Sequence, residues 1–357
     1  MRAIVHEQYG PPDVLRLKEV ERPVPGADEV LVEVHAASVT YGNLALVKGD
    51  PFIVRLMVGG LREPVHRIQG SDLAGRVVAI GDDVRQFRPG DDVYGDLSEC
   101  GFGAYAEYAA APEETFALKP ANLTFEEAAA VPQAGLVALQ GLRDCGRIQQ
   151  GQQVLIVGAS GGNGSFAVQI AKSYGAEVTG VCSTSNIEMV QALGADRVID
   201  YTREDFASNG RHYDLIFATG GYRPIFDYRR ALKSGGTYVM AGGAIKQVFE
   251  AMLLGPLLSM VGGKRLVSLA QKPSQKDLEV MREMIESGKV KPVIDRCYAL
   301  EDTPHALAHY GQGHVRGKVV ISVGHAGAEP QLMGQVRERR VDGMPALAGR
   351  GQFRSER

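Results

Sequence analysis

The sequence predicts an α/β protein with a β-rich domain and a doubly wound parallel-sheet domain. From residue 1 to about 124, short alternating segments are cut by Gly and Pro. From about 125 to 288, apolar segments alternate with helical ones, and from 289 a strand-and-helix pattern like that of the first region returns. Short strands with frequent turns are typical of an antiparallel barrel or sandwich. Apolar strands separated by helices are typical of a parallel sheet that is covered on both faces.

The predicted strands of the first region alternate between apolar and polar residues. Turn signals such as RPVPGADE and FRPGDD separate them. In chain order, they are RAIVHE, VLRLKEV, EVLVEVHAAS, LAGRVVAIG, DDVYGDL and AYAEYAAA.

The second region is predicted to alternate strands with helices, and a shorter return follows it. The segments 324–357 contain few large apolar residues, so we expect a disordered tail there. We therefore expect domains at 1–124 and 125–288, with 289–323 returning to the first domain. The predicted elements are QVLIVG, SFAVQIAKSYGA, EVTGVC, NIEMVQALGA, RVID, YDLIFAT, IFDYRRALKSG, GTYVMAG, RLVSLA and QKDLEVMREMIESG, then PVIDRCYAL, TPHALAHYGQG and GKVVISV in the return.

Composition excludes several classes of protein. The 357 residues carry a net charge of -3, which argues against nucleic-acid binding through bulk positive charge. The four Cys are widely separated, so no C-x-x-C pair is present for zinc or redox exchange. The start MRAIVHEQYG lacks an apolar run, and the apolar stretch Ala251–Gly263 is short and contains Pro256. We expect a soluble, cytoplasmic protein with no membrane or nucleic-acid partner.

A glycine-rich loop is the most informative segment. The strand QVLIVG leads into a G-x-x-G-x-x-G pattern, and a helix follows. Glycine permits close approach of the backbone, and a helix N-terminus offers free N–H groups to a pyrophosphate. The pattern is a variant of the G-x-G-x-x-G fingerprint, so it predicts dinucleotide binding. The candidate cofactor residues in this loop are Gly158, Ala159, Ser160, Gly161, Gly162, Asn163 and Gly164.

The same loop has a second interpretation. Gly158 to Gly162 also matches G-x-S-x-G, the nucleophile elbow of serine hydrolases, with Ser160 as the nucleophile. A hydrolase elbow needs α/β units before it, whereas a many-stranded region precedes this loop. Nucleotide binding is therefore favoured.

The end of the next strand favours NADP(H) as the cofactor. NAD-specific sites place Asp or Glu there to bind the ribose 2′-hydroxyl. EVTGVC instead ends at Ser183, Thr184, Ser185 and Asn186, which leave room for a 2′-phosphate. This loop contains no Lys or Arg, and Tyr201 and Arg203 are the nearest candidate supplements.

Several motifs in order resemble one family. GAYAEYAAAPEETFALKPANLTFEEAAAVPQAG, GASGGNG and GKVVISV resemble the medium-chain dehydrogenase/reductase superfamily, specifically its zinc-independent quinone oxidoreductase-like branch, over about residues 1–323. The resemblance implies a GroES-like catalytic domain, a Rossmann NADP-binding domain and an active site in the cleft between them. It also implies a homodimer.

Zinc members of the superfamily have a catalytic Cys and a Gly-His-Glu motif that this chain lacks. SVTYGN stands where the Cys would fall, Gly70-Ser71-Asp72 stands where Gly-His-Glu would, and only Cys100 lies in the structural-zinc region. His305 and His309 have helical spacing, but no third ligand accompanies them. We therefore expect no metal.

A site without zinc must stabilise developing negative charge on oxygen with hydrogen bonds. This is easier when conjugation spreads the charge, so we expect NADPH-dependent reduction of a small apolar quinone or of the C=C bond of an α,β-unsaturated carbonyl by hydride transfer. A zinc-free carbonyl or alcohol oxidoreductase and a non-catalytic nucleotide-binding regulatory protein remain as alternatives.

The resemblance also implies roles for individual residues. In the segment SVTYGN, Tyr41 and Asn43 are the catalytic candidates, as donors to a carbonyl oxygen; a packed aromatic is the alternative for Tyr41. Val137 stands where relatives commonly have a Thr whose hydroxyl faces the nicotinamide. Gly242 and Arg316 complete the cofactor candidates, with a solvated surface role equally open for Arg316.

Two apolar stretches are candidates for shaping the substrate pocket. They are PFIVRLMVGGLREPVHR at 51–67 and AIKQVFEAMLLGPLLSMVGG at 244–263. Ligand sites of open α/β sheets form near strand ends, where the second stretch lies. A dimer contact or buried core is the alternative.

Overall fold

The strands form two large sheets and one small hairpin. The computed structural model describes residues 1–324, without the side chains at positions 57 and 59. The prediction of a disordered tail concerns residues that, from 325 onward, lie outside the described residues. The strands are β1 Arg2–Val5, β2 Arg16–Glu19, β3 Glu29–Ser38, β4 Asp72–Ile80, β5 Asp92–Asp96, β6 Tyr108–Pro112, β7 Phe116–Leu118, β8 Gln153–Val157, β9 Glu177–Cys182, β10 Arg197–Asp200, β11 Tyr213–Ala218, β12 Leu232–Met240, β13 Arg265–Ser268, β14 Ile294–Ala299 and β15 Lys318–Ser322.

The helices lie mostly in the second half of the described chain. Within residues 1–324, none is long and apolar enough to cross a lipid bilayer. The α-helices are α1 Tyr41–Lys48, α2 Phe52–Val54, α3 Phe125–Ala129, α4 Pro132–Gln140, α5 Gly162–Ser173, α6 Ile187–Ala192, α7 Ile225–Ala231, α8 Ile245–Ser259, α9 Gln275–Glu286 and α10 Thr303–Gly311.

The first sheet contains the β-rich region and the C-terminal return. Its strand order is β14-β15-β3-β4-β5-β7, and β6 also pairs with β3. β15 pairs antiparallel with β3, and β14 pairs parallel with β15. The last strands of the described chain thus complete a sheet that the first strands begin.

The second sheet is parallel throughout, in the order β10-β9-β8-β11-β12-β13. Numbered from β8, this is the 3-2-1-4-5-6 order of a doubly wound sheet. The order reverses between β8 and β11, and a crevice forms at such a switch point. The predicted α/β class is therefore confirmed.

Two elements differ in extent from their predictions. The segment AYAEYAAA begins as irregular chain, because Tyr105 pairs with the loop residue Gln69 and with Ile4 before β6 starts at Tyr108. β12 begins earlier than GTYVMAG, at Leu232, because that residue pairs with Tyr213 of β11.

Residues 1–324 form one compact unit. The buried Tyr94 of β5 donates its hydroxyl hydrogen bond to the carbonyl oxygen of Leu278 in α9, at 2.5 Å. One continuous apolar core includes residues from both large sheets, such as Ala74 and Val154. The two sheets are therefore joined by a shared core and by this hydrogen bond.

Candidate active site

The glycine loop lies at the switch point, between β8 and α5. Gly158 has φ +84°, a backbone conformation that favours glycine. A Cβ at Gly164 would lie 2.0 Å from the carbonyl oxygen of Gly158, so a side chain there would push the loop open. α5 begins at Gly162, and no side chain caps its N-terminus. Its first N–H groups and the positive end of its dipole suit a pyrophosphate.

Three strand-end loops converge around Gly158. A Cβ at Gly158 would lie 3.0 Å from the backbone nitrogen of Gly220, which follows β11. A Cβ at Gly242, after β12, would lie 3.1 Å from the carbonyl oxygen of Thr219. The predicted cofactor residue Gly242 thus belongs to the same crevice as the glycine loop.

The return strand contacts this loop directly. The backbone N–H of Gly317 donates to the carbonyl oxygen of Ser160, at 2.9 Å, and Gly317 pairs with Gly161 in an isolated β-bridge. The exposed Arg316 precedes this contact in the chain. Its backbone lies at the loop, and its side chain is accessible to solvent.

Ser160 is paired with an amide. Its Oγ accepts a hydrogen bond from Asn186 Nδ2 at 3.0 Å, and Asn186 Nδ2 also donates to Ser183 Oγ at 3.1 Å. Asn186 is buried, and its Oδ1 has no hydrogen-bond partner among the described residues. An amide is not a general base, so this environment does not support the hydrolase alternative. The two hydrogen bonds of Asn186 join the glycine loop to the residues that follow β9.

A carboxylate lies beside the loop 183–186, contrary to the sequence-based expectation. Thr184 Oγ1 donates to Asp200 Oδ2 at 2.5 Å, and Thr202 donates to Oδ1 through its backbone N–H and hydroxyl, at 3.0 and 2.8 Å. The Thr184 hydrogen bond lowers the pKa of Asp200, and Arg203 Nε lies 3.6 Å from Asp200 Oδ2. Both carboxylate oxygens thus accept hydrogen bonds, and these bonds hold the loop 183–186 against residues 200–202.

Sequence reasoning missed Asp200, although a signal was available. The segment RVID ends in an acid, and parallel neighbours end at the same edge of a sheet, where Asp200 pairs with Cys182. At that edge, Tyr201 donates its backbone N–H to the carbonyl oxygen of Cys182, at 3.1 Å. The Tyr201 side chain is 58% exposed, and the hydroxyls of Ser183 and Ser185 are 3.4 Å apart. Hydroxyl groups and the Arg203 cation are therefore available at this edge.

The two catalytic candidates occupy different environments. Tyr41 is the first residue of α1 and is 55% exposed, so it is not a packed aromatic. Asn43 is fully buried. Its Oδ1 accepts from the Thr40 backbone N–H at 3.2 Å, and from the Tyr105 hydroxyl at 3.2 Å.

The structure shows a local role for the Asn43 amide oxygen, and the expectation that Asn43 donates to substrate stays a prediction. Asn43 forms a capping box with Thr40, in which each side chain binds the backbone N–H of the other residue. Such pairing satisfies two N–H groups at a helix start. Asn43 Nδ2 has no hydrogen-bond partner among the described residues and is inaccessible to solvent. Asn43 therefore orients the helix that carries Tyr41.

Val137 lies on a helix that packs against α5. This helix is α4, and the Val137 side chain is buried. A valine there offers an apolar surface and no hydrogen bond.

Asp96 is a second buried carboxylate, at the junction of the two sheets. Its Oδ1 accepts from the Ser98 backbone N–H at 3.0 Å, and its Oδ2 accepts from Gln271 Nε2 at 3.3 Å. Burial, together with the nearby charge of Asp72, raises the pKa of Asp96 to about 6. Ionised Asp96 thus carries a desolvation cost at neutral pH.

The described residues contain no cluster of three or more His, Cys, Asp and Glu side chains that could hold a metal ion. His309 Nε2 contacts Asp295 Oδ2 at 2.7 Å, and His305 Nδ1 lies 3.4 Å from Asp302 Oδ1. The two histidines therefore have separate partners. Zinc needs three or four N, S or O ligands, and the donor set within residues 1–324 does not fit it.

The two apolar stretches are exposed rather than buried core. Within 51–67 and 244–263, the large apolar side chains that are more than a third exposed are Phe52, Ile53, Leu56, Val58, Leu61, Val65, Ile245, Phe249, Met252, Leu253, Leu257, Met260 and Val261. α8 begins after the end of β12, at the carboxyl edge of the parallel sheet, where the glycine loop also lies.

Two glycine variants should separate loop closure from ligand access. Gly164→Ala should lower the melting temperature of the free protein, because its Cβ would collide with the Gly158 carbonyl. Gly161→Ala should keep that temperature, because the nearest heavy atom to its Cβ is 3.5 Å away, but it should weaken NADPH binding by obstructing the anion's approach. Thermal unfolding with and without NADPH measures both effects. Equal effects of the two variants on the free protein would contradict this assignment.

Asp96→Asn should stabilise the protein at neutral pH. The folded-state pKa is raised to about 6, so the folded state binds more protons than the unfolded state between roughly pH 4 and 6. The contribution of Asp96 to stability is therefore lost as pH rises through that window. Urea unfolding should give Asp96→Asn an advantage of about 3 kcal/mol at most at pH 7, and a much smaller one at pH 4. The exposed control Asp83→Asn should change stability by no more than about 0.5 kcal/mol at either pH; an advantage for Asp96→Asn that is independent of pH would refute the stated cause.

Family comparisons match both parts of the chain. The alcohol dehydrogenase GroES-like domain matches residues 26–121, and the zinc-binding dehydrogenase family matches residues 193–321. The second family's description names zinc, whereas the donor set of the described residues does not supply a zinc site.

Curated and solved relatives extend over most of the chain. It is 34% identical over 335 residues to a 2-methylene-furan-3-one reductase of Solanum lycopersicum, covering 90% of this chain and 79% of the relative. It is 33% identical over 363 residues to the mitochondrial NAD(P)H oxidoreductase RTN4IP1 of Mus musculus, covering 90% and 89%. The solved quinone oxidoreductase of Coxiella burnetii superposes with a TM-score of 0.80 at 30% identity, covering 91% of this chain and 99% of that one. The chain, with its GroES-like domain and doubly wound sheet, belongs to the quinone oxidoreductase-like branch of the medium-chain dehydrogenase/reductase superfamily.

Proposed function

We propose that this protein is a zinc-independent, NADPH-dependent oxidoreductase that reduces a quinone or the C=C bond of an α,β-unsaturated carbonyl. One observation carries the proposal. The uncapped start of α5 contacts the return strand, and that strand pairs with β3, whose end leads to Tyr41. The proposed nucleotide site and the exposed Tyr41 phenol are thus connected through this strand pairing.

We also propose domain boundaries near residues 124 and 288.

The loop 183–186 supports NADPH over NADH. Asp200, the acid at this edge, has both oxygens engaged by Thr184 and Thr202. Three of its roughly four acceptor positions are therefore already used, which leaves little capacity for the two hydroxyls of a ribose. The exposed Arg203, whose Nε lies 3.6 Å from Asp200 Oδ2, is a cation at this edge of the sheet that can offset a 2′-phosphate.

Tyr41 is proposed to bind the carbonyl oxygen of the substrate. Bound NADPH supplies a hydride to the substrate. Negative charge then develops on the oxygen of a quinone or enone, and a phenol that donates a hydrogen bond there lowers the barrier. With no zinc ligands among the described residues, this charge depends on hydrogen bonds. Conjugated substrates suit such a site because they delocalise the charge.

The named relatives agree with this substrate class, since one is a furanone reductase and another a quinone oxidoreductase. The exposed apolar side chains of α8 lie beyond a strand end of the crevice, which suits an apolar substrate. They also suit a homodimer contact, which we retain as a prediction together with a cytoplasmic location.

The cofactor preference is tested by binding and turnover. NADPH should raise the melting temperature more than NADH at equal concentration, because only NADPH presents a 2′-phosphate to the loop 183–186 and Arg203. NADPH oxidation should be fastest with quinones or enones in a panel that includes aldehydes. Equal shifts with both nucleotides would contradict the preference. Turnover of aldehydes alone would favour a carbonyl reductase, and tight NADPH binding without turnover would favour a regulatory binding protein.

Tyr41→Phe should lower kcat by about 100-fold, the scale for losing one hydrogen bond to a developing oxyanion. The dissociation constant for NADPH should remain within about twofold. Tyr174→Phe is the matched control, because Tyr174 follows the far end of α5, about 18 Å from the glycine loop at 1.5 Å per residue, and it should leave kcat unchanged. An unaltered kcat in Tyr41→Phe would remove Tyr41 from the reaction.

A further inference from the structure

A buried ion pair lies between the glycine loop and the Tyr41 helix. Lys318 is 4% exposed, and Asp72 is fully buried. Lys318 Nζ donates to Asp72 Oδ2 at 3.3 Å and to the carbonyl oxygen of Val39 at 3.2 Å. The sequence singled out both residues only as parts of motifs, so their contact is a result of the fold.

Asp72 accepts hydrogen bonds from segments of both proposed domains. Its Oδ2 also accepts from Ser38 Oγ at 2.9 Å, and its Oδ1 accepts from the Gln133 backbone N–H at 3.2 Å. Gln133 lies in the first turn of α4, where a negative charge interacts favourably with the helix dipole. Burial raises the pKa of Asp72, and the Lys318 ammonium opposes that shift. One carboxylate thus connects the end of β3, the start of β4 and α4, which carries Val137.

Lys318 reaches toward the glycine loop with its aliphatic stem. A Cβ at Gly162 would lie 3.0 Å from Lys318 Cδ, so the stem lies close against the first residue of α5. The preceding Gly317 donates its N–H to the carbonyl oxygen of Ser160, at 2.9 Å. The position of Lys318 therefore depends on the position of the loop.

The other end of Lys318 defines the start of α1. Val39, whose carbonyl it binds, is followed by Thr40, the residue that caps α1. Tyr41 is the next residue. The Lys318 side chain thus extends from the glycine loop to the backbone that precedes Tyr41.

A buried ion pair is weak evidence for a stabilising role. Desolvation of both charges offsets their attraction, and apolar pairs of similar volume are often equally stable. The charged pair adds directional hydrogen bonds. Those at Asp72 join residues of three strands and one helix, and Lys318 also binds the Val39 carbonyl oxygen. That property matters where reacting groups must be aligned.

We propose that Lys318 and Asp72 form a positioning pair that aligns the Tyr41 helix with the nucleotide bound at the glycine loop. The inference rests on the proposed function for its effect on turnover. Neither residue needs to touch the substrate. A misplacement of about 1 Å costs on the order of 100-fold in rate.

A charge-removal series tests the proposal in the full-length protein. Lys318→Met alone should lower the melting temperature, because it leaves Asp72 buried without its cation. The double variant Lys318→Met/Asp72→Asn should recover most of the melting temperature, since no unpaired charge remains. Its kcat should stay about 100-fold below wild type while the NADPH dissociation constant changes less than about threefold. Recovery of kcat together with the melting temperature would overturn the proposal and leave a purely structural pair.

The matched control is Lys233→Met/Asp214→Asn. This ion pair, at 2.8 Å, lies near the N-terminal ends of β11 and β12, opposite the glycine loop. It should leave both kcat and NADPH binding unchanged. A loss of kcat equal to that of the Lys318/Asp72 double variant would overturn the claim that position at the site matters.

Hydrogen exchange gives a readout that does not require turnover. In the wild type, NADPH should slow exchange at the glycine loop and also at residues 39–48. In the Lys318→Met/Asp72→Asn variant, the first protection should persist and the second should be lost. Protection of 39–48 that survives in the variant would overturn the positioning role. If the wild type shows this coupling but reduces none of the substrates, the proposed function fails and the positioning pair stands.

Discussion

The pairing of β15 with β3 is the constraint on which the candidate site depends. It brings the last strand of the described chain back to the first large sheet, across the parallel sheet that lies between them in sequence. The turn before β15 then contacts the glycine loop through Gly317 and Ser160. The two sheets also share one apolar core, but this return makes a direct backbone link between the first sheet and the glycine loop. The position of the glycine loop relative to the Tyr41 helix thus depends partly on backbone hydrogen bonds.

The crevice contains several buried polar groups whose partners come from distant parts of the chain. Asn186 connects two strand-end loops, Asp200 organises the loop beside β9, and Asp96 meets Gln271 from the other domain. Burial of such groups costs free energy unless they are hydrogen-bonded. Their concentration at the junction, rather than in the apolar cores, is typical of a functional region.

Much of the fold was predictable, because its signals are local. The strand β8, the glycines and the helix α5 are adjacent in sequence, and hydrophobic periodicity separates the barrel-like region from the alternating one. The local contacts of Asn43 were not predictable in full. The capping contact with Thr40 is local in sequence, but the hydrogen bond from the Tyr105 hydroxyl joins residues that only the folded sheet brings together.

The sequence by itself determined the order of elements, the nucleotide loop and the lack of a recognisable zinc motif, because each depends on residue type and short spacing. The tertiary structure decided which distant side chains meet: Asp200 with Thr184, Asp72 with Lys318, and Gly317 with the glycine loop. The physical reason is that strand order in a sheet follows from packing and hydrogen bonding between segments far apart in the chain. Those contacts decide which polar side chains are buried with hydrogen-bond partners and which, like Tyr41, are exposed to solvent.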